Sequence, residues 1–421
     1  MIQEVNEVFK PLFTEHPRYF ILMGGRGAGR STVASQFANA KLIAPEYFRC
    51  AIMRYILGDI RNSIYREITD RAEENAIDNK LQVNDSMMHI NYGANSINAV
   101  GFRKSSSDQK SKLKSLASYN CVIIEEADEI PEEDFMQLDD SLRTVKGDIT
   151  IILLLNPPPK NHWIIKRWFD LDKSEQKGYF IPKLKSTAKD TIAIISDYHT
   201  NEENIAPASI IQYEAYKDTK SDHYYNMIKG YVPETVIGRI YNFIEIDELP
   251  EEARLKRRGL DYGYSNDPTG IVDIYVWNNA FIWDEVLFRK GMSNKDIADV
   301  IKMHEDILTI ADSAEPKSND EIKSYGISLI PSQKGPGSVN QGIQYVQDQT
   351  IYYTKRSIHI KEEQENYSWK VDKNTGELLN VPIDMWNHLL DAGRYGMESL
   401  RPIEDESYDK INEGLKDKWK I

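Results

Sequence analysis

Over the first 160 residues, continuously apolar runs alternate with amphipathic ones. "RYFILMGG", "CAIMRYI", "NCVIIEE" and "ITIILLLN" are apolar and rich in β-branched residues. "STVASQFANAKLI", the run from Ile60 to Ile77 and a stretch near 132–144 space their apolar residues as helices do, and a polar region around 87–102 reads as a hairpin. A strand with no polar alternation is buried on both faces, and intervening helices supply the cover. The pattern therefore predicts an α/β fold with a mostly parallel sheet and helices on both faces.

Between about 196 and 255 the pattern loosens into polar and helical pieces, "DYHTNEENIAP" and "IIQYEAYKDT", which predict a linker region. "RRGLDYGYS", "TGIVDIYVW" and "AFIWDEVLF" then follow as three antiparallel strands with short turns. After them come a helix near 293–306, strand "ILTIAD", a helix near 318–325, strand "ISLIP" and a last helix over 383–400. A meander followed by alternation predicts a mixed sheet of the ribonuclease H type. The expected organisation is a first domain over 1–195, a linker over 196–255, a second domain over 256–400 and a tail over 401–421.

Composition narrows this picture. A chain of 421 residues exceeds one ordinary core and suits two domains. No apolar run reaches the roughly 18–20 residues of a membrane span, and "MIQEVNEVFK" lacks the basic start of a signal peptide, so a cytoplasmic protein without a membrane partner is expected. Cys50 and Cys121 sit in separate apolar stretches and read as buried thiols, not as a zinc site or disulfide. The net charge of −14 argues against a protein that coats nucleic acid. It leaves room for transient DNA contact through basic stretches at 102–114, 166–168, 254–258 and 354–356.

Candidate chemistry begins at "GGRGAGRST". Gly24, Gly29, Arg30 and Ser31 fit the P-loop pattern G-x-x-x-x-G-K-[ST], with Arg30 in the lysine position. Gly24, Gly25, Arg26, Gly27, Ala28 and Gly29 would curl backbone N–H groups around the phosphates of ATP. Ser31 or Thr32 at the helix start would ligate Mg²⁺. The strand "CVIIE" ends in Glu125 and Glu126, the arrangement of a Walker B motif, where the first carboxylate orients Mg²⁺ and the second activates water. Asn156 ends the next buried strand, where it could sense the γ-phosphate.

The second half offers carboxylates. Asp261 lies within a strand, where an ionised group costs free energy unless it is paired or bound to metal. Asp312 ends "ILTIAD", and Asp391 sits in the last helix. Such groups converging on one sheet edge can hold two Mg²⁺ or Mn²⁺ ions about 4 Å apart. Asp267 is a weaker fourth. At helical spacing Asp384, His388 and Asp391 share a face, with His388 a hydrogen-bonding neighbour and not a ligand; His199 reads as a linker residue.

"GGRGAGRST", "VIIEEADEI", "LLLNPPPKNHW", "GLDYGYSNDP", "IADSAEPKS", "KGPGSV" and "NHLLDAGRYG", in this order, resemble the large terminase subunit of tailed bacteriophages from about residue 18 to 400. The resemblance implies a P-loop ATPase that drives double-stranded DNA into a procapsid, joined to a ribonuclease H-like endonuclease that cuts the concatemer. It places nuclease catalysis and two metal ions at Asp261, Asp312 and Asp391, and ATP hydrolysis at Glu126 and Arg30, with Arg26 sharing the phosphate contact. The family's lysine is replaced by Arg30. The resemblance further implies a homo-oligomeric ring, a portal protein and a small terminase subunit as partners. It also implies residence in the host cytoplasm and transiently on the procapsid, but not in the mature virion. Ring motors use an arginine finger in trans, for which Arg143 is the candidate. Ile411, Leu415 and Trp419 form an apolar stripe that could dock on the portal. The alternative to the motor is a metal-dependent nuclease or assembly protein with a vestigial P-loop. A structural capsid protein would give no reason for the three aspartates.

Overall fold

The computed structural model describes residues 5–103, 113–263, 267–372, 377–398 and 400. The stripe at Ile411, Leu415 and Trp419 and most of the basic stretch 102–114 lie outside them. The chain divides into two compact units, one ending at Thr235 and the other beginning at Val236.

The first unit is built on an eight-stranded sheet. Its order is Thr191–Ser196, Tyr19–Gly24, Thr150–Leu155, Cys121–Glu125, Arg49–Ile56, Asn95–Arg103, His89–Tyr92 and Gln82–Asn84. The first six strands are parallel; His89–Tyr92 pairs antiparallel with Asn95–Arg103 as the expected hairpin, and Gln82–Asn84 adds antiparallel to His89–Tyr92. Alternate residues feed two cores: Phe20, Leu22, Ile52, Ile123 and Leu154 on one face, Ile21, Met23, Met53, Ile124 and Leu153 on the other. Both faces are thus dry, which is why these strands read as unbroken apolar runs. Helices Arg30–Ile43 and Ile64–Glu74 border the first core, and Glu132–Ser141 and Trp163–Trp168 the second. Cys50 and Cys121 are buried free thiols, register neighbours on adjacent strands.

The predicted linker is corrected. Residues 196–235 pack into the first unit as a 3₁₀ segment Tyr198–Asn204, helix Pro207–Thr219 and a π-helical turn His223–Ile228. They pack through rings: Tyr179, Tyr198, Tyr224, Tyr225 and Ile228 form a buried cluster. Tyrosine buries its ring while its hydroxyl keeps a polar partner, as Tyr179 does with Asp222 at 2.6 Å, so this core shows no aliphatic stripe. The strand Thr191–Ser196, and the small sheet formed by Phe169–Lys173, Tyr179–Leu184 and Val232–Pro233, were not anticipated either.

The second unit carries a seven-stranded sheet in the order Ile244–Ile246, Ile351–Thr354, Ala280–Arg289, Thr269–Trp277, Arg254–Asp261, Thr309–Ala311 and Leu329–Pro331. The expected meander is its centre, antiparallel throughout, and the last two strands add in parallel beside Arg254–Asp261. This is the mixed sheet the sequence predicts. The unit starts before residue 256, because Ile244–Ile246 pairs with Ile351–Thr354 at its edge. The last helix is His388–Gly396, shorter than the expected 383–400. Asp384 therefore precedes it and pairs with Lys370 at 3.2 Å instead of sharing its face.

Candidate functional site

In the first unit the candidate residues follow the C-terminal ends of neighbouring parallel strands, the usual place for a ligand in such sheets. Gly24 ends one strand, Leu155 the next and Glu125 the one after. Gly29, at φ 81°, turns the chain into helix Arg30–Ile43, a backbone angle that glycine adopts without strain. Ser31 and Thr32 occupy the helix's first turn. The former linker walls the loop: the Arg26 N–H donates to Met227 O at 2.6 Å and Asn201 Nδ2 donates to Gly27 O at 2.8 Å. A side chain at Gly25 would collide with the Ile228 carbonyl.

Arg30 folds onto the neighbouring strand end. Its guanidinium donates to Leu155 O, to Gly25 O at 3.3 Å and to Asn156 Oδ1 at 2.8 Å. Burial pushes it down to about 10, opposed by the charges of Glu126, Asp128 and Glu125, so it stays cationic at neutral pH. The expected γ-phosphate sensor Asn156 is thus held by the residue in the lysine position. Burial raises Glu125, while Ser63 and Arg54 pull it back. Glu125 Oε2 is buried with no hydrogen-bond partner among the described residues, which suits a hard cation. Glu126 takes a left-handed backbone, φ 52° and ψ 50°, uncommon for a residue other than glycine and frequent where strain serves a site.

His162 is a residue the sequence reading missed, although it stands in the quoted "NPPPKNHW". Its Nδ1 accepts the Ile164 N–H at 3.2 Å and caps helix Trp163–Trp168, while Nε2–H donates to Asp128 O at 3.1 Å. Burial holds it at about 4, hence neutral, as this double role requires. It ties the turn after Glu126 to the loop after Asn156. Its position just before the first helical residue was the available signal. Arg143 is exposed in the loop that leads into strand Thr150–Leu155, at the sheet edge opposite the phosphate loop.

In the second unit Asp261 ends the central strand and is 9% exposed. Asp312 follows Thr309–Ala311, its N–H donating to Leu260 O at 3.1 Å. Asp391 lies in the first turn of His388–Gly396. Burial pushes Asp261 up to about 6; His388 draws it down, and Asp391 and Asp312 push it up. Each aspartate has a basic partner: His388 Nδ1 is 3.2 Å from Asp261 Oδ2, Lys334 pairs with Asp312 Oδ1, and Arg394 Nε and Nη2 reach Asp391 Oδ1 at 3.1 and 2.8 Å. Asp267 is exposed.

Among the described residues no three His, Cys, Asp or Glu side chains lie close enough to hold a metal. Like charges disfavour one another, and each carboxylate lies beside a basic side chain that offsets this. The donor chemistry still fits: an all-carboxylate set suits Mg²⁺ or Mn²⁺, and Lys334 and Arg394 mark where positive charge is wanted. Glu363, on helix Ile358–Asn366, sets the position of Asp391. Its carboxylate accepts the N–H groups of His388, Leu389 and Leu390 at 3.0, 2.8 and 3.1 Å and closes the helix start.

Comparison with known proteins agrees with this two-part plan. Residues 261–399 match the family model described as terminase RNAseH like domain, and residues 16–231 the one described as phage terminase large subunit. The chain is 26% identical to the terminase large subunit of Bacillus phage SPP1 over 427 residues, covering 94% of this chain and 96% of that one. It is 24% identical over 422 residues to the PBSX phage terminase large subunit of Bacillus subtilis, covering 94% of each. Among solved structures, the nuclease domain of the SPP1 large terminase with bound Mn is 30% identical. It covers 38% of this chain and 98% of its own, with a TM-score of 0.35. The terminase model spans more than half of the sequence, and the chain belongs to the phage terminase large subunit family.

Proposed function

We propose that this chain is the DNA-packaging motor subunit in which the two sites described above perform separate hydrolyses. In the first unit the loop 24–29 and the start of helix Arg30–Ile43 hold the phosphates of ATP. Ser31 and Glu125 would hold Mg²⁺, which would supply positive charge against the phosphates. Glu126 takes a proton from the attacking water, and Arg26 and Arg30 supply the cationic contacts. The observation that carries this reading is the gathering of loop, Glu125–Glu126 and Asn156 at one edge of one parallel sheet, with Arg30 joining loop to Asn156.

In the second unit Asp261, Asp312 and Asp391 would hold the divalent ions, which supply activation of water and neutralisation of the leaving oxygen. Lys334, which pairs with Asp312, would balance the charge of that carboxylate beside a bound ion. His388 orients Asp261 through the bond to its Oδ2. The portal protein, a small terminase subunit, a ring of copies on the procapsid and a trans-acting Arg143 complete the proposal. Among the described residues no helix is long and apolar enough to cross a membrane.

A second reading has one observation in its favour. Arg30 is buried against Leu155 and Asn156, as a residue retained for structure would be, and a vestigial loop would leave the nuclease alone. Purified full-length chain assayed for DNA-stimulated ATP hydrolysis and for Mn²⁺-dependent plasmid cleavage separates the two. Both activities are expected. Cleavage without nucleotide turnover selects the second reading, and neither activity removes both.

A further inference from the structure

Two of the N–H groups expected to face phosphate are already engaged by the protein. The Gly25 N–H donates to Ser196 O at 3.2 Å, at the end of strand Thr191–Ser196, and the Arg26 N–H donates to Met227 O at 2.6 Å. The loop donors left for phosphate start at Gly27. This part of the loop lies between strand and helix, and Gly27, at φ 75°, takes a left-handed backbone that glycine enters and leaves at little cost. Its shape has to be held from outside.

One side chain does so. Asn201 Nδ2 donates to Gly27 O at 2.8 Å, and the same amide packs against Gly29, where an added Cβ would lie 3.3 Å from Asn201 Cγ and Nδ2. Its orientation is set by a neighbour: Asn204 Nδ2 donates to Asn201 Oδ1 at 2.9 Å, which occupies the oxygen and leaves the NH₂ for the Gly27 carbonyl. Asn201 stands at a kink in the 3₁₀ segment Tyr198–Asn204, at φ −132° and ψ 20°. The start of that segment is fixed by Asp197, which accepts the His199 N–H at 3.1 Å and pairs with Lys229 at 2.7 Å.

In a trans peptide the C=O and the following N–H lie in one plane and point opposite ways, so the bond to Gly27 O also aims the Ala28 N–H away from Asn201. A loop that holds anions through its N–H groups would repel phosphate if one of its carbonyls turned inward. We infer that Asn201 is a positioning residue of the nucleotide site, which keeps the Gly27 carbonyl turned to the protein and so presets the Gly27–Ala28 peptide for phosphate before the ligand arrives. The inference rests on the nucleotide-binding reading above and extends it to the 196–235 segment, outside every loop motif. Preorganisation of this kind appears as affinity, because the ligand need not turn the peptide itself.

Calorimetric titration of the full-length chain with Mg²⁺–ADP and with Mg²⁺–tripolyphosphate tests it, with circular dichroism at the titration temperature to verify folding of each variant. Asn201→Leu, of similar size but without a donor, should weaken both ligands about five- to tenfold, the order of one net hydrogen bond. Asn204→Ala, a change at an exposed side chain, keeps the Asn201 donor but removes what orients it, and should weaken both about two- to threefold. The double variant should bind no more weakly than Asn201→Leu alone, because Asn204 acts only through Asn201. Parental affinity in either folded single variant overturns the inference. So does a double variant whose losses simply add, or a loss for ADP without a loss for tripolyphosphate, which would mark a contact to the nucleoside. A parent that binds neither ligand condemns the nucleotide reading itself, a result distinct from all of these.

Discussion

The two candidate sites are assembled in opposite ways. In the first unit the functional residues sit at or just after strand ends, or at the start of the helix that follows one, and those strands are parallel neighbours in one sheet. Parallel strands all finish at the same edge, so motifs scattered along the chain meet without any further device. In the second unit the three aspartates come from a central strand, a short parallel strand and a helix packed on the sheet. They are paired with His388, Lys334 and Arg394, and the helix that carries Asp391 is anchored by Glu363. A site made by topology is legible as motifs; a site made by packing depends on partners that no motif names.

Four changes would break or sharpen this contrast. The largest effect is expected from Asp261→Ala, which should drop Mn²⁺-dependent plasmid cleavage to background while DNA-stimulated ATP turnover stays within a few-fold. Undiminished cleavage would show that the packed site is not where the carboxylates were placed.

Next is the pH response of the first unit. His162 is held at about 4 against an ordinary value near 6.5, so the folded protein binds fewer protons than the unfolded chain between those values. Stability is fully present above about pH 6.5 and is lost as pH falls toward 4, by about 3 kcal/mol from this group. Urea unfolding of His162→Asn, which can still cap the helix but does not titrate, should show a loss on acidification smaller than the parent's by about that amount. Equal losses would remove His162 from the account.

Arg30→Ala should lower DNA-stimulated ATP turnover about 10²-fold, the order of a lost transition-state contact, and Arg30→Lys should stay within roughly tenfold of the parent because the charge persists. If Arg30→Ala turns over at the parental rate, the topological site is a relic. The smallest effect is expected from Glu363→Gln. An amide presents one acceptor where the carboxylate presents two, so the helix start loses a buried hydrogen bond and the second unit about 1–2 kcal/mol in chemical denaturation. Nucleotide affinity should not move, since Glu363 belongs to the other unit.

Particular residues show how far the sequence reaches. Tyr19–Gly24 and Thr150–Leu155 are readable because burial on both faces leaves no choice but apolar residues; Asp312 stands out at the end of an apolar strand, and Asp261, expected within its strand, ends it. The segment 196–235 was not readable. Its core is made of tyrosines, which count as neither clearly apolar nor clearly polar, and its backbone includes a π-helical turn with no period of its own. His388 reads as a hydrogen-bonding neighbour, but its partner Asp261 lies far back in the chain, beyond any local pattern. Lys334 stood in a quoted motif without a role, because an ion pair across distant loops leaves no spacing to read.

By itself, then, the order of residues determined the strands, the helices between them and which chemical groups end up at strand termini, because these follow from local burial, turn geometry and chain direction. Only the tertiary structure decided the charge state and company of those groups. Arg30 rests on Leu155 and Asn156, Glu125 keeps an oxygen without a hydrogen bond among the described residues, 4.0 Å from Arg54 Nε, and Glu363 closes the helix of Asp391 from another element. Electrostatic and hydrogen-bonding energies depend on distance and burial in space, which residues far apart in sequence set jointly and which no window of the sequence contains.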